Sequence, residues 1–150
     1  MVYEKAVNDG ARAFGLQLLT LNGGTPAEIE DAFSAFARRR VNGVIISADP
    51  YLTGRADQIT ALASRLAVPV VYSNREYSMA GGLISYGNSL TEVYRRAGIY
   101  AGRILKGDKP SDLPVERAIK FELIVNMKAA QALGIDMPLS LQMRIDEVIE

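Results

Sequence analysis

Carboxylate, amide and guanidinium groups recur at three places where an apolar run stops. The run VIIS at 44–47 leads into Ala48, Asp49, Pro50 and Tyr51; PVVYS at 69–73 leads into Asn74, Arg75 and Glu76; LIS at 83–85 leads into Tyr86, Gly87 and Asn88. Such groups donate and accept hydrogen bonds and carry both signs of charge, which suits the capture of a small polar molecule. They are less suited to turnover. The chain has no His and no Cys, so it lacks the usual general base near neutral pH, the commonest nitrogen ligand for metals, and every thiolate nucleophile. No Walker pattern or G-x-G-x-x-G follows any run, and Gly81-Gly82 reads as backbone freedom in a crossing loop. No catalytic residue, metal site or cofactor is expected. Each polar residue also has an ordinary structural use: Asp49 and Asn74 favour turns and helix caps, Arg75 and Glu76 can form an exposed pair of little energetic weight, and Tyr51 and Tyr86 can fill a rim. It is their recurrence at successive run ends that favours a ligand site for the set.

The elements that must position these residues alternate between helical and strand periods. At 150 residues and 49% hydrophobic, the chain can bury one α/β core. Lys+Arg and Asp+Glu both number 17, leaving no basic field to attract nucleic acid or an anionic membrane. There is no apolar run of about 18 residues, and the opening VYEKAVNDGARAF is helix-like rather than an export signal. Tyr3, Val7, Ala11 and Phe14 share a helical face closed by Gly15, and LQLLTL at 16–21 follows as a strand. Thr25-Pro26-Ala27-Glu28 is a capping box opening a helix that ends in Arg38, Arg39 and Arg40, charges that offset its dipole. Strands are expected at 44–47 and 69–73, both in the sheet interior, and a helix at 53–67 between them. Residues 83–87 form another strand. Ser89-Leu90-Thr91-Glu92 is a second capping box, opening the longest helix, 89–106, whose apolar stripe includes Val93, Tyr94, Ala97 and Ile104. Gly98 and Gly102 inside that helix suggest close backbone packing. A linker at 108–114, a strand at 121–125, a short helix from Asn126 to Gly134 and a terminal helix carrying Leu141, Ile145, Val148 and Ile149 complete the pattern.

Strands alternating with helices imply a parallel sheet covered on both faces, with ligands at the carboxyl ends of the strands. The words AGGLISYG, GRILKGDKPSDLPVE and KFELIVNMKAAQALG then carry a closer likeness, because the chain resembles the substrate-binding proteins of bacterial ABC importers, in the family that includes tryptophan and tyrosine binders. The resemblance implies an α/β fold, a Rossmann-like parallel sheet with helices on both faces, forming one lobe of a class I periplasmic binding protein. It implies that residues 1–150 are the distal lobe, with crossing segments near 77–88 and 108–119, and that the first lobe and a signal or lipoprotein peptide are missing. It also implies a small-molecule ligand, an amino acid or similar, held by Asp49, Pro50, Tyr51, Asn74, Arg75, Glu76, Tyr86 and Gly87. Asp49 or Glu76 would meet a ligand ammonium and Arg75 a ligand carboxylate. The implied partners are a membrane permease and, on helix 89–106, the missing lobe or a second copy; the implied location of the full-length parent is periplasmic, or extracytoplasmic as a lipoprotein.

Three functions fit a chain of this kind. Transport is favoured by the resemblance, while an effector-sensing domain of a transcription regulator shares the lobe architecture and would carry a helix-turn-helix upstream. A Rossmann-type enzyme is disfavoured by the missing His, Cys and phosphate loop.

Overall fold

The computed structural model describes residues 2–116 and 120–150, with side chains from residue 5 onward. Five strands form one sheet in the order β1 (Val44–Ile45), β2 (Val70–Tyr72), β3 (Ile84–Asn88), β4 (Phe121–Asn126) and β5 (Glu147–Ile149). The first three are mutually parallel, with Val44 opposite Val70 and Val71 opposite Ile84. β4 runs antiparallel to β3, and β5 is parallel to β4. Because Asn88 pairs with Phe121 and Ile124 with Glu147, the carboxyl ends of β1 to β3 share one sheet edge with the first residues of β4 and β5. The fold is α/β, as expected.

Helix α1 (Val2–Ala13) ends where Gly15 turns left-handed at φ 66°, and the Leu16 N–H returns to the Ala11 carbonyl at 2.8 Å. Helix α2 (Pro26–Arg39) starts as its sequence demands: the Thr25 hydroxyl accepts from the Glu28 N–H at 3.1 Å, and the Glu28 carboxylate accepts from the Gly24 N–H at 2.8 Å. Thr25→Ala should therefore cost about 1 kcal/mol, read as a lower urea midpoint. From α2, Ile29 and Phe33 meet Ile59, Leu62 and Ala63 of α4 (Ala56–Arg65) over Val44, Val70 and Tyr72 of the sheet. Tyr77, from α5 (Arg75–Met79), closes this core by stacking on Tyr72 at 4.6 Å between ring centroids. A second cluster joins Leu83 and Val125 to Ala130 of α7 (Met127–Ala132) and to Met137. Asn126 caps α7 as expected, its side-chain oxygen accepting from the Ala129 N–H at 3.0 Å.

Several expectations are corrected. Residues 16–21 are not a strand, since none of them enters a ladder with another segment, and an extended stretch without a hydrogen-bonded neighbour stays irregular. Phe14 is exposed rather than part of a buried face, and Tyr3 lies outside the described side chains. β2 is interior, but β1 is at the sheet edge, and Ile45 is 64% exposed. The helix expected at 53–67 is split into α3 (Pro50–Thr53) and α4 by Gly54 and Arg55. Residues 75–79, which show no apolar period, are helical all the same, because Tyr77 and Ser78 are buried against the sheet. The terminal helix is absent: after α8 (Leu139–Gln142) the chain ends in β5, where Val148 pairs with Val125. A short β-branched tail gains more from an open strand edge than from an isolated helical turn. The capping box at Ser89 does not form, since the Glu92 carboxylate takes Arg95 and Arg96 instead, which holds its pKa down at about 2.

Among the described residues, helix α6 (Leu90–Leu105) has no buried residue and makes no extensive contact with another element. Tyr94 is 72% and Leu105 88% exposed, and nothing lies within 4 Å of a Cβ built at Gly98 or Gly102. The close packing expected at those glycines is therefore not made among the described residues. The segment after the 3₁₀ turn Pro110–Asp112 does return along α6, where the Tyr100 hydroxyl donates to the Pro114 carbonyl at 2.7 Å and Arg96 pairs with Glu116. Residues 117–119, part of the segment expected at 108–119, lie outside the described residues. Replacing both Tyr94 and Leu105 by Lys is expected to reduce binding of an apolar dye while leaving the urea midpoint of the lobe unchanged. A fall of more than about 1 kcal/mol would mean that α6 packs on the lobe after all.

Candidate functional site

The carboxyl end of β1 turns into α3 through Asp49. Its Oδ1 accepts from the N–H groups of Tyr51 at 2.8 Å and Leu52 at 3.1 Å, the geometry of a helix N-cap, with Pro50 at the first helical position. One turn later, the Thr53 hydroxyl donates to the Asp49 carbonyl at 2.9 Å and accepts from the Asn74 side-chain amide at 2.9 Å. Thr53 thus ties the end of β1 to the end of β2. Asn74 opens α5 without a side-chain cap bond, so its side chain is free for that bridge.

Three polar atoms are shut from solvent and have no hydrogen-bond partner among the described residues: Ser73 Oγ, Glu76 Oε2 and the Tyr77 hydroxyl. The Thr53 hydroxyl is close enough to Tyr77 to favour its ionised form. Its own hydrogen bonds run to Asp49 and Asn74, and the phenol makes no hydrogen bond among the described residues. Burial and the neighbouring Asp49 and Glu76 carboxylates outweigh it and push the Tyr77 phenol up to about 12. Asp49, Thr53 and Asn74 are hydrogen-bonded together, and Glu76 and Tyr77 lie beside them in one polar cluster.

The remaining expected residues are placed differently. Arg75 turns to the neighbouring strands, reaching both carboxylate oxygens of Glu147 at 3.0 and 3.1 Å and Glu122 at 3.7 Å. Tyr51 carries Arg55 over its ring at 5.4 Å, at the cluster's rim. Tyr86 stacks on Phe121 with centroids 5.7 Å apart, and no hydrogen bond or ring contact among the described residues joins it to Asp49 or Asn74. Gly87 lies beneath the end of β2, where a Cβ would come within 1.7 Å of the Ser73 carbonyl oxygen. Gly81, at φ 94°, needs glycine's freedom as expected, while Gly82 is required for a second reason, since a Cβ there would stand 2.5 Å from the Tyr72 ring.

Thr53 and Tyr77 are the residues that sequence reasoning missed. The spacing Asp49-Pro50-x-x-Thr53 holds the signal for the first, because a residue four after an N-cap returns to the cap's own carbonyl. Tyr77 could be placed only by knowing that residues 75–79 are helical.

The family model for ABC transporter substrate binding proteins matches residues 3–149. No curated protein sequence matches the chain. Among solved structures, a conserved domain protein from Vibrio cholerae O1 biovar El Tor superposes with a TM-score of 0.87 at 22% identity, covering 98% of this chain and 49% of that one. An ABC domain in complex with L-Trp from Streptococcus pneumoniae gives 0.82 at 24% identity, covering 93% and 48%. A ligand-free, open substrate-binding protein with adhesive properties from Clostridium difficile gives 0.67 at 22% identity, covering 99% and 49%. The chain thus spans about half the length of the solved structures that it matches. At these identities the superpositions establish the fold, and the near-complete match of the family model establishes membership: the chain belongs to the ABC transporter substrate binding protein family.

Proposed function

We propose that the chain is the distal lobe of the solute-binding component of a bacterial ABC importer, which closes with a first lobe on a small molecule and presents it to a membrane permease. The observation that carries this reading is the polar cluster at the ends of β1 and β2, where Asp49, Thr53 and Asn74 are hydrogen-bonded together and buried groups of Glu76 and Tyr77 beside them lack partners among the described residues. Buried polar atoms are nearly always satisfied, and in an open parallel sheet this is the edge at which ligands sit. The ligand class is an amino acid or similar small molecule, in keeping with the L-Trp complex of the Streptococcus structure. The working location of the whole protein is outside the cytoplasm, in the periplasm or on a lipid anchor.

α6 fits the same reading. Residues 77–87 stay with the lobe's own core and β3, and the chain departs from the sheet after Asn88 into a helix that leaves Val93, Tyr94 and Ile104 uncovered. We place the crossings at the end of the 77–88 segment and along 108–119, with the first lobe on the apolar stripe of α6.

The test is a thermal-shift screen of amino acids and related metabolites against a two-lobe protein that contains this lobe, followed by calorimetry on the strongest binder. Saturable binding of a small molecule supports the reading. Tight binding of a duplex oligonucleotide modulated by a metabolite would favour a regulator instead.

A further inference from the structure

We propose that the groove between α4 and α7 is a second small-molecule site, which takes an apolar carboxylate and holds it with Lys128 and the Tyr72 hydroxyl. It lies away from the cluster at Asp49 and Asn74 and does not depend on the solute-binding reading above.

The first argument is space. The groove has a volume of about 360 Å³, within the range of small-ligand sites. Val70, Tyr72 and Leu83 line it from the sheet, Ala63 from α4, and Ala129 and Ala132 from α7. Leu83 immediately precedes β3, and Asn126, which also lines the groove, ends the antiparallel β4, so the groove sits at the amino ends of β2 and β3. Asp49 and Asn74 follow the carboxyl ends of β1 and β2. The opening depends on short side chains: alanines at 63, 129 and 132 leave the space between the helices unfilled. Gly82 gives the Tyr72 ring its place, since a Cβ there would stand 2.5 Å from it.

The second argument is polar chemistry. Tyr72 is 1% exposed, and its hydroxyl makes no hydrogen bond among the described residues. Buried hydroxyls rarely stay unpaired. The other buried polar residues along the groove are already served, because the Thr60 hydroxyl donates to the Ala80 carbonyl at 3.0 Å and the Asn126 side chain accepts from the Ala129 N–H at 3.0 Å. Lys128 is exposed and takes part in no ion pair among the described residues, and no Asp or Glu among them lines the groove. An anion placed there meets attraction, and an ammonium meets like charge. A molecule that fills the groove therefore sets its apolar body on Val70, Leu83 and the alanines. Its carboxylate, with two accepting oxygens, can take both the Lys128 ammonium and the Tyr72 hydroxyl as donors.

Three probes of similar size separate the possibilities: phenylacetate, 2-phenylethanol and 2-phenylethylammonium, each titrated into the ¹⁵N-labelled 150-residue chain. The amides of residues 63–68, 81–83 and 128–133 are expected to shift with phenylacetate at a Kd about threefold to fivefold below that of the alcohol, the scale of one solvent-facing ion pair, and not with the ammonium. Lys128→Gln should bring phenylacetate down to the alcohol's affinity, and Tyr72→Phe, which keeps the ring, should weaken it as well. Ala132→Leu fills the groove from an exposed position and should abolish the shifts with the thermal midpoint unchanged. If phenylacetate moves none of these amides, or moves residues 49–53 and 73–77 instead, the groove is not its site and the proposal falls. Equal affinity for all three probes, or unchanged phenylacetate binding in Lys128→Gln, in Tyr72→Phe or in Ala132→Leu, overturns it too.

Discussion

Gly87→Ala should disrupt the junction of β2 and β3, at a cost of about 4 kcal/mol or more. A Cβ at position 87 would lie 1.7 Å from the Ser73 carbonyl oxygen and 2.9 Å from its carbon, and both are backbone atoms. A flexible side chain could swing away, but Ser73 follows directly on a strand whose Tyr72 is registered against Ser85. Relieving the clash means breaking that register. Ordinary overpacking costs roughly 1–3 kcal/mol because side chains can share the displacement, and that route is closed here. Against a total stability of about 5–15 kcal/mol for a domain, such a loss should appear as a large drop in the urea midpoint and as shifts spreading from Ser73 to Asn88. Gly98→Ala supplies the contrast: position 98 lies in the interior of α6 with nothing within 4 Å of a built Cβ, and the substitution should stabilise that helix by up to about 1 kcal/mol. Equal midpoints for Gly87→Ala and the unmodified protein would mean that β3 does not run beneath Ser73.

Position 87 also marks what could be read in advance. The polar residues after each apolar run were legible because strand ends announce themselves by a change of composition, and Thr25, Glu28 and Asn126 cap their helices as their types and spacing require. What was hidden depended on contacts distant in sequence. Nothing local says that Gly87 passes under Ser73, that Arg75 would reach Glu147 seventy-two residues on, or that residues 147–149 would find an open edge on β4. The Ser89 capping pattern misled for a related reason, since Glu92 had two arginines within one turn competing for its carboxylate. The strand expected at 16–21 failed by the same logic: its apolar pattern was sound, but a strand exists only with a neighbour.

In a two-lobe protein containing this lobe, Asp49→Ala and Asn74→Ala should each weaken ligand binding at least tenfold, whereas Arg39→Ala should leave it unchanged. A micromolar ligand is bound by about 8 kcal/mol. If each lobe supplied about half, this lobe alone would bind near millimolar, and non-additivity would shift that figure. The two variants act by different routes. Asn74→Ala removes the donor that reaches Thr53, freeing a hydroxyl that positions both strand ends and leaving a desolvated group unpaired, a loss of about 1–3 kcal/mol. Asp49→Ala removes a charge and also the cap of α3, costing about 1 kcal/mol of stability in its own right. Asp49→Asn separates these effects, because Asn caps a helix as well as Asp does but carries no charge. If Asp49→Asn binds as weakly as Asp49→Ala while melting like the unmodified protein, the charge serves the ligand. If it binds normally, Asp49 serves the turn, and the site must be carried by Asn74, Glu76 and Tyr77. Arg39 closes α2 beside Arg40, which takes the left-handed C-cap conformation, so its side chain offsets a helix dipole at the opposite end of the strands from the cluster. Calorimetry on the four variants gives the outcome, and unchanged affinity in both Asp49→Ala and Asn74→Ala would remove the strand ends from the binding cleft even with the family membership intact.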